Sequence, residues 1–512
     1  MLFNSTAFLF AFLPVVLVGF LALQRLGHTT AIMVWLTLCS LFFYGWWNPV
    51  YLLLILFSAA VNFSLARVMT KHHETGFSWV LAAGVSFNLG LLAYFKYVNF
   101  FLENARVLLG GDYNFTHIVL PLAISFYTFQ QITYLVDTRK GLTKDHSILE
   151  YLLFVSFFPQ LIAGPIVHHS EMLSQFKSLG ISRGTARNLA IGLSILAIGL
   201  FKKVVIADGL AQYATPVFTM AAAGATLSTL DVLAGSFSYA FQLYFDFSGY
   251  SDMAIGLACL FGLKLPVNFY SPFRAQNISD FWRTWHASLS RFLRDYVYTP
   301  LGGFLCSPSR QRFNLFCTMF VGGIWHGAGW TFVVYGVLHG CYVVIHQLWR
   351  VKVSGPLELV GNRHYQFTAQ ILTFLVVVMS LIVFRSDSMT TAVHIFSCLT
   401  DINGVVFEAD YMAAIQRSGL FRIVSTLPLT VTPAWFVANV LWLSLAACWI
   451  LPNTQQLFAA QQVTLQKTKM GRPAVLRLEW RNSPAWMAFT ALLITVSFMN
   501  LNSVSEFLYF QF

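Results

Sequence analysis

Apolar runs close to the length of a membrane-crossing helix recur along the whole chain, and they restrict its fold more than any other feature. A span needs about 20 apolar residues to cross a hydrocarbon core about 30 Å thick. Such runs occupy residues 7–23, 30–47, 50–66, 78–100 and 117–136, and continue with few long gaps to a last one over 484–502. Backbone N–H and C=O groups find no water at that depth, so runs of this length read as helices. The expectation is an all-α polytopic membrane protein, with about eleven to thirteen helices that cross or re-enter the bilayer. A single integral membrane domain is expected over 1–512, with a terminal tail at 503–512. Charged residues are 10% of the chain, against roughly 25% in soluble domains.

The few charges report sidedness. Alternate loops among the first five spans carry Arg25, then Arg67 and Lys71, then Arg139, Lys140 and Lys144, while the other set carries Arg106 alone. By the positive-inside rule the first set is cytoplasmic and the N-terminus is outside. No Lys or Arg precedes the first run, so it reads as a permanent span and not as a cleaved signal. The loop over 455–482, with Lys467, Lys469, Arg472, Arg477 and Arg481 against Glu479, reads as cytoplasmic and sends the C-terminus outside. The net charge of +11 thus belongs to loops at a lipid surface, and no nucleic acid partner is expected. The seven cysteines form no CxxC pair, which indicates neither a disulfide framework nor a zinc cluster.

One apolar stretch resists this alternation. YLLFVSFFPQLIAGPIV, 151–167, is followed by Lys177, Arg183 and Arg187, which a full crossing would put on the wrong side. Pro159 and the Gly164-Pro165 pair break a helix there, so the segment is expected to enter and return. Irregular backbone at membrane depth is tolerated where protein buries it or water reaches it, and a cavity is therefore implied.

Two further stretches place ionisable groups where lipid would reject them. RAQNISDFWRTWHASLSRFLRDYVYTPLGG, 274–303, holds six charges within twenty-two residues, yet Trp282, Trp285, Leu289, Phe292 and Tyr296 recur at spacings of three and four. That spacing predicts one helix, capped by Ser279 or Asp280 and ended by Pro300. Arg283, Ser290 and Arg294 form its polar sector, with His286 at the edge. The helix either lies at the cytoplasmic surface on lipid phosphates or lines a hydrated entrance for a phosphate-bearing substrate. Just upstream, Asp246 and Asp252 sit in an apolar run, where their expected work is to satisfy nearby Arg or backbone donors.

VGGIWHGAGWTFVVYGVLHG, 321–340, buries His326 and His339 among glycines and aromatics. On a helix beginning near Phe313, His326 lies about 20 Å along the axis, past the bilayer midplane. The flanking glycines suit close backbone approach or an opened helix. On one continuous helix the two rings would stand about 220° and roughly 20 Å apart, which argues against a shared metal. Acid and base chemistry is the use left to a lone buried imidazole, beside the plainer reading of a hydrogen-bonded packing residue.

In order along the chain, DFSGYSDMAIG, NISDFWRTWHASLSRFLRDYVYTPLGG and GGIWHGAGWTFVVYGVLHG resemble the membrane-bound O-acyltransferase family, in its bacterial branch of alginate O-acetyltransferase membrane subunits. LPLAISFYTFQQITYLVDTRKG (120–141), FPQLIAGPIV (158–167) and GLFKKVVIADGLA (199–211) extend the resemblance over most of the chain. It implies a multi-pass protein of the bacterial inner membrane that takes an acyl group from a cytoplasmic thioester, acetyl-CoA or an acyl carrier protein, and passes it to a hydroxyl. It also implies that the helices surround a central tunnel, with a catalytic core at 116–350; no tightly bound cofactor is implied. The family's WHG histidine falls on His326 and its WRxWHxSLS histidine on His286, with Trp325, His339, Arg283, Ser290 and Arg294 as donor-binding or tunnel-lining neighbours. Thr284 departs from close relatives that carry an Arg, which weakens contact with an anionic carrier. The ending FLYFQF resembles an aromatic-tyrosine-aromatic tail, so Tyr509 is a candidate acyl acceptor that would serve an extracytoplasmic acetyltransferase partner; otherwise it is an interfacial anchor. Two alternatives stay open: D-alanyl transfer toward teichoic acid, and a transporter of an activated acyl compound that does no chemistry.

Overall fold

The computed structural model of the protein describes residues 1–71, 78–110, 118–143, 146–181, 184–400, 407, 409–418, 433–466, 471–501 and 508. Among the described residues, the β pairing is one bridge between Leu265 and Thr464; the other regular structure is helical. Seven helical stretches are long and apolar enough to cross a membrane: Phe8–Arg25, Pro49–Lys71, Ser78–Leu109, Thr185–Ala222, Trp330–Ser354, Arg363–Arg385 and Pro433–Ile450. Thr29–Gly45, Met389–Thr400 and Pro484–Met499 are shorter apolar helices. The chain is an all-α polytopic membrane protein.

The helices nearest the middle are more polar because their polar groups bind one another. Ile124–Arg139 is buried over most of its length, and Gln131 Oε1 accepts from Ser58 Oγ at 2.7 Å and from Asn62 Nδ2 at 2.5 Å. Asn88 Nδ2 in turn donates to Asn62 Oδ1 at 2.6 Å. Three helices are thereby tied in register at a depth where an unmet amide costs several kcal/mol.

Thr229–Leu260 forms a buried axis of 32 residues. Thr185–Phe201 crosses it closely: a Cβ at Gly199 would stand 2.6 Å from the Gly249 carbonyl oxygen, and one at Gly256 2.8 Å from that of Gly192. Small residues permit this approach, and close packing is what holds helices together in lipid. The chain then widens into a π-helical turn, Lys202–Ala207, which brings two successive lysines to the axis. Lys202 Nζ meets Asp252 Oδ2 at 2.6 Å, and Lys203 Nζ meets Asp246 Oδ1 and Asp208 Oδ1, each at 2.8 Å. Asp252 also accepts from Thr454 and Gln455. Both aspartates meet cations, as expected, but the partners are lysines and not arginines.

The expected re-entrant stretch breaks into two short helices, Ile148–Ser156 and Phe158–Leu161, followed by extended chain. Protein groups meet its irregular backbone: Phe158 N–H donates to Ser40 Oγ at 3.2 Å and Ile166 N–H to Ser288 Oγ at 3.0 Å.

The histidine stretch departs from the single helix expected of it. Pro308–His326 ends at His326, the chain turns through Gly327 to Gly329, and Trp330–Trp349 returns alongside. Gly327 and Gly329 have extended backbones, so space and not φ explains Gly327, where a Cβ would lie 2.1 Å from the Phe332 ring. At the crossing, a Cβ on Gly323 would stand 2.4 Å from Gly336 Cα. The glycines thus provide the close backbone approach expected of them, here within a hairpin. Gly323→Val should force the pair apart and cost about 1–3 kcal/mol, read as a lower unfolding temperature in detergent. Gly90→Ala, with nothing within 4 Å of its Cβ, should leave that temperature unchanged.

Candidate active site

The amphipathic helix expected between its caps at Ser279 or Asp280 and its end at Pro300 is interrupted at its histidine. Ile278–Thr284 and Ala287–Leu293 are separate helices, and His286 between them has φ +43°. The N-cap is Asn277, whose side chain accepts from Asp280 N–H at 2.8 Å, two positions before Ser279 and three before Asp280, the caps read from sequence. A left-handed backbone costs a non-glycine residue on the order of 1 kcal/mol, and Asn268 offsets it. Its carbonyl oxygen accepts from Ala287 N–H at 2.9 Å, and its side-chain Oδ1 accepts from Ser288 Oγ at 2.9 Å and faces His286 Nδ1 at 3.1 Å. The break frees the Trp282 carbonyl, which Ser290 Oγ satisfies at 2.7 Å. His286 is consequently fully buried and turned away from the polar edge that the helical wheel assigned to it. Its ring packs edge-on against Phe247 at 4.8 Å and Trp325 at 5.9 Å.

The hairpin brings the remaining imidazoles into the same region. His326 is buried at the helix end between Trp325, Tyr335 and Phe384, with ring centroids 5.2, 5.9 and 5.3 Å away. His339, one turn beyond Tyr335 on the returning helix, packs on that tyrosine at 4.4 Å. The large separation expected of a continuous helix therefore does not hold. His286, His339 and Lys96 all lie within electrostatic reach of His326. Both nitrogens of His339 are engaged: Nδ1 accepts from Trp282 Nε1–H at 3.1 Å, and Nε2 faces Ser380 Oγ at 3.0 Å. Because the indole can only donate, His339 is the Nε2–H tautomer and links three helices. Trp325 stacks on Phe129 at 5.2 Å and touches both His286 and His326.

A cavity of about 690 Å³ reaches this region from one side of the protein. Its wall includes Trp282, Ala287 and Ser288, next to His286 in the chain, and Arg283, Ser290 and Arg294. His286 and His326 stand behind that wall. Arg283 pairs with Asp280 and Arg294 with Asp295 at 2.7 Å, both exposed. Arg291, also on the wall, is held by both oxygens of Glu171 at 2.7 and 2.9 Å. Thr284 donates to the Asp280 carbonyl at 2.8 Å and is buried. Tyr509 lies outside the described residues.

The chain is similar along its whole length to known proteins. It is 38% identical to the peptidoglycan O-acetyltransferase of Helicobacter pylori, over 100% of this chain and 98% of the relative. The MBOAT, membrane-bound O-acyltransferase family, pattern matches residues 136–386. The chain belongs to this family. As a membrane-bound O-acyltransferase it is an enzyme, and the matched segment contains His286, His326, His339 and the cavity wall apart from Gln466. It is also 33% identical, over 100% of both chains, to the Pseudomonas aeruginosa protein named "Probable alginate O-acetylase AlgI". The teichoic acid D-alanyltransferase of Bacillus subtilis is 30% identical over 49% of this chain and 65% of its own.

Several site residues of this O-acyltransferase escaped the sequence reading. Asn268, Ser380 and Phe384 carry no local signal, since each acquires its role from a distant segment. His346 and Arg350 join the cavity wall because they follow His339 down the same helix face. Lys96 had a signal, a single charge inside an apolar run, which is a functional candidate by default. Asn268→Leu should orphan the groups at His286 and Ser288, at a cost of about 1–3 kcal/mol. Lower unfolding temperature together with reduced turnover would be the measured outcome.

Proposed function

We propose that the chain takes acetyl from a cytoplasmic thioester, acetyl-CoA or an acyl carrier protein, and passes it through the membrane toward O-acetylation of an extracytoplasmic polysaccharide such as peptidoglycan or alginate. The observation that carries this reading is the buried His326, placed at a helix end behind a cavity rimmed by arginines. The donor's phosphates meet Arg283 and Arg294, and the thioester passes Ser290 and Trp282 toward His286 and Trp325. The His326 imidazole removes the proton of an acceptor hydroxyl, whose oxygen attacks the thioester carbonyl carbon. Neighbouring donors stabilise the tetrahedral oxyanion. The C–S bond then breaks, and the imidazolium returns the proton to the departing sulfur, leaving a thiol and an ester.

The acceptor hydroxyl in this reading is that of Tyr509, from which a partner acetyltransferase outside the membrane takes the acetyl group. In support, the preceding residue Leu508 is buried, and its N–H donates to Asp246 Oδ2 at 3.2 Å. Asp246 precedes Phe247, the ring that packs on His286. Acetyl is favoured over D-alanyl because peptidoglycan and alginate acetylases match the full chain at 32–38% identity, whereas the D-alanyltransferases match about half of it at 28–30%. The loop charges support an inner-membrane protein with both termini outside.

Purified protein in nanodiscs, incubated with acetyl-CoA labelled in the acetyl group, should release CoA and carry label. His326→Ala should abolish both without loss of expression, and cleavage retained in that variant would remove His326 from the reaction. Tyr509→Phe should lose the protein-bound label; label retained there would exclude the tail as acceptor. Arg283→Gln with Arg294→Gln should raise the KM for donor about tenfold, in line with the ~1–3 kcal/mol of charge-assisted contacts, with little change in kcat.

A further inference from the structure

The helix that presents His326 stops there, and its last carbonyls would point into the membrane interior without partners. They are met from the Ser78–Leu109 stretch, which widens into a π-helical turn at Ala93–Tyr97. Lys96 Nζ donates to the Trp325 carbonyl at 2.5 Å and to the His326 carbonyl at 3.1 Å, and Tyr97 OH donates to the Ile324 carbonyl at 2.9 Å. Farther along, Asn104 Oδ1 accepts from Trp330 Nε1–H at 3.0 Å, so the same stretch grips both sides of the glycine turn. Lys96 is buried, with its ammonium 5.8 Å from the centre of the Trp325 ring. Among the described residues it makes no ion pair with a carboxylate.

A cation at a helix C-terminus is favourable, because the last carbonyls carry the negative end of the dipole. Those partial charges do not match a whole ammonium, however, and burying one in a membrane costs several kcal/mol. Neutral donors, such as the nearby Tyr97 hydroxyl, cap carbonyls without that expense. The expense has a return if negative charge develops at this spot during turnover, as it does on the tetrahedral oxygen of an acyl transfer.

We infer that Lys96 is a positioning residue for acyl transfer: it clamps the helix end that carries His326 and holds positive potential beside it, and its charge is required as well as its reach. The inference rests on the reading of His326 as the base. It adds a residue from a separate helix, outside the histidine motifs and outside the matched segment 136–386.

Three substitutions separate charge from capping. Lys96→Met removes both, Lys96→Gln keeps a donor for the carbonyls, and Lys96→Arg keeps the charge. Each is assayed in nanodiscs for acetyl-CoA cleavage per folded protein, with the unfolding temperature measured alongside. Met and Gln should both lower kcat about 100-fold, the scale of losing one preorganised electrostatic group, with the KM for donor unchanged. Arg should recover at least tenfold of that loss. A Gln variant with wild-type kcat would reduce Lys96 to a structural cap and overturn the inference. So would losses that follow the unfolding temperature across all three variants. His326→Ala, run in parallel, keeps the two readings apart: if it is inactive while Lys96→Met turns over normally, only the role of Lys96 fails.

Discussion

A polar group at membrane depth is costly unless another part of the chain meets it, and the irregular features around the site follow from that constraint. The buried axis Thr229–Leu260 can carry Asp246 and Asp252 because a π-helical turn on its neighbour supplies Lys203 and Lys202. Pro308–His326 can end inside the bundle because Lys96 and Tyr97 cap it. Its neighbour can be broken at His286 because Asn268 bonds the chain just after the break and Tyr270 N–H meets the Thr284 carbonyl just before it. Each device uses a local irregularity, a wide turn or a left-handed residue, to aim a side chain that a regular helix would direct elsewhere. These irregularities converge on one region, where three imidazoles and one ammonium lie among aromatic rings behind a basic cavity.

The division of labour within that region follows from hydrogen bonding. His339 has both nitrogens committed, to an indole and a hydroxyl, and it fixes Trp282 against the helix bearing Ser380. It thereby joins Trp282, on the cavity wall, to Tyr335, which packs on His326. His286 is directed inward by Asn268 and separated from His326 by little more than the Trp325 indole. This arrangement suits a reaction in which a thioester reaches the wall from one side and an acceptor hydroxyl arrives from the other.

The spans were legible because a continuous apolar run has few other uses, and His286 and His326 because an imidazole in such a run is conspicuous. The course of the backbone around those histidines was not. The stripe of Trp282, Trp285, Leu289 and Phe292 keeps helical spacing straight through the break at His286, so periodicity joins what Asn268 divides. The Gly327 to Gly329 turn looked equally compatible with a continued helix, and the resulting separation of His326 from His339 was an artefact of that assumption. Among the described residues, seven helical stretches are long and apolar enough to cross, against the eleven to thirteen segments expected to cross or re-enter; the buried helices Ile124–Arg139 and Thr229–Leu260, with their paired Gln and Asp, fall outside that set. Long-range partners such as Asn268 and Ser380 have no sequence signature, whereas Lys96 stood in plain view as the one charge of its run.

The central claim is that acetyl crosses the membrane by transfer to an acceptor hydroxyl that His326 deprotonates. Sealed vesicles holding the protein in one orientation, with labelled acetyl-CoA supplied only on the side of Arg283 and Arg294, test it most directly. The prediction is acetyl label on the protein that a membrane-impermeant nucleophile on the opposite side can remove by becoming acetylated, with CoA left where it was added and no label in His326→Ala vesicles. Intact acetyl-CoA appearing on the far side, or label crossing equally well in His326→Ala, would contradict it.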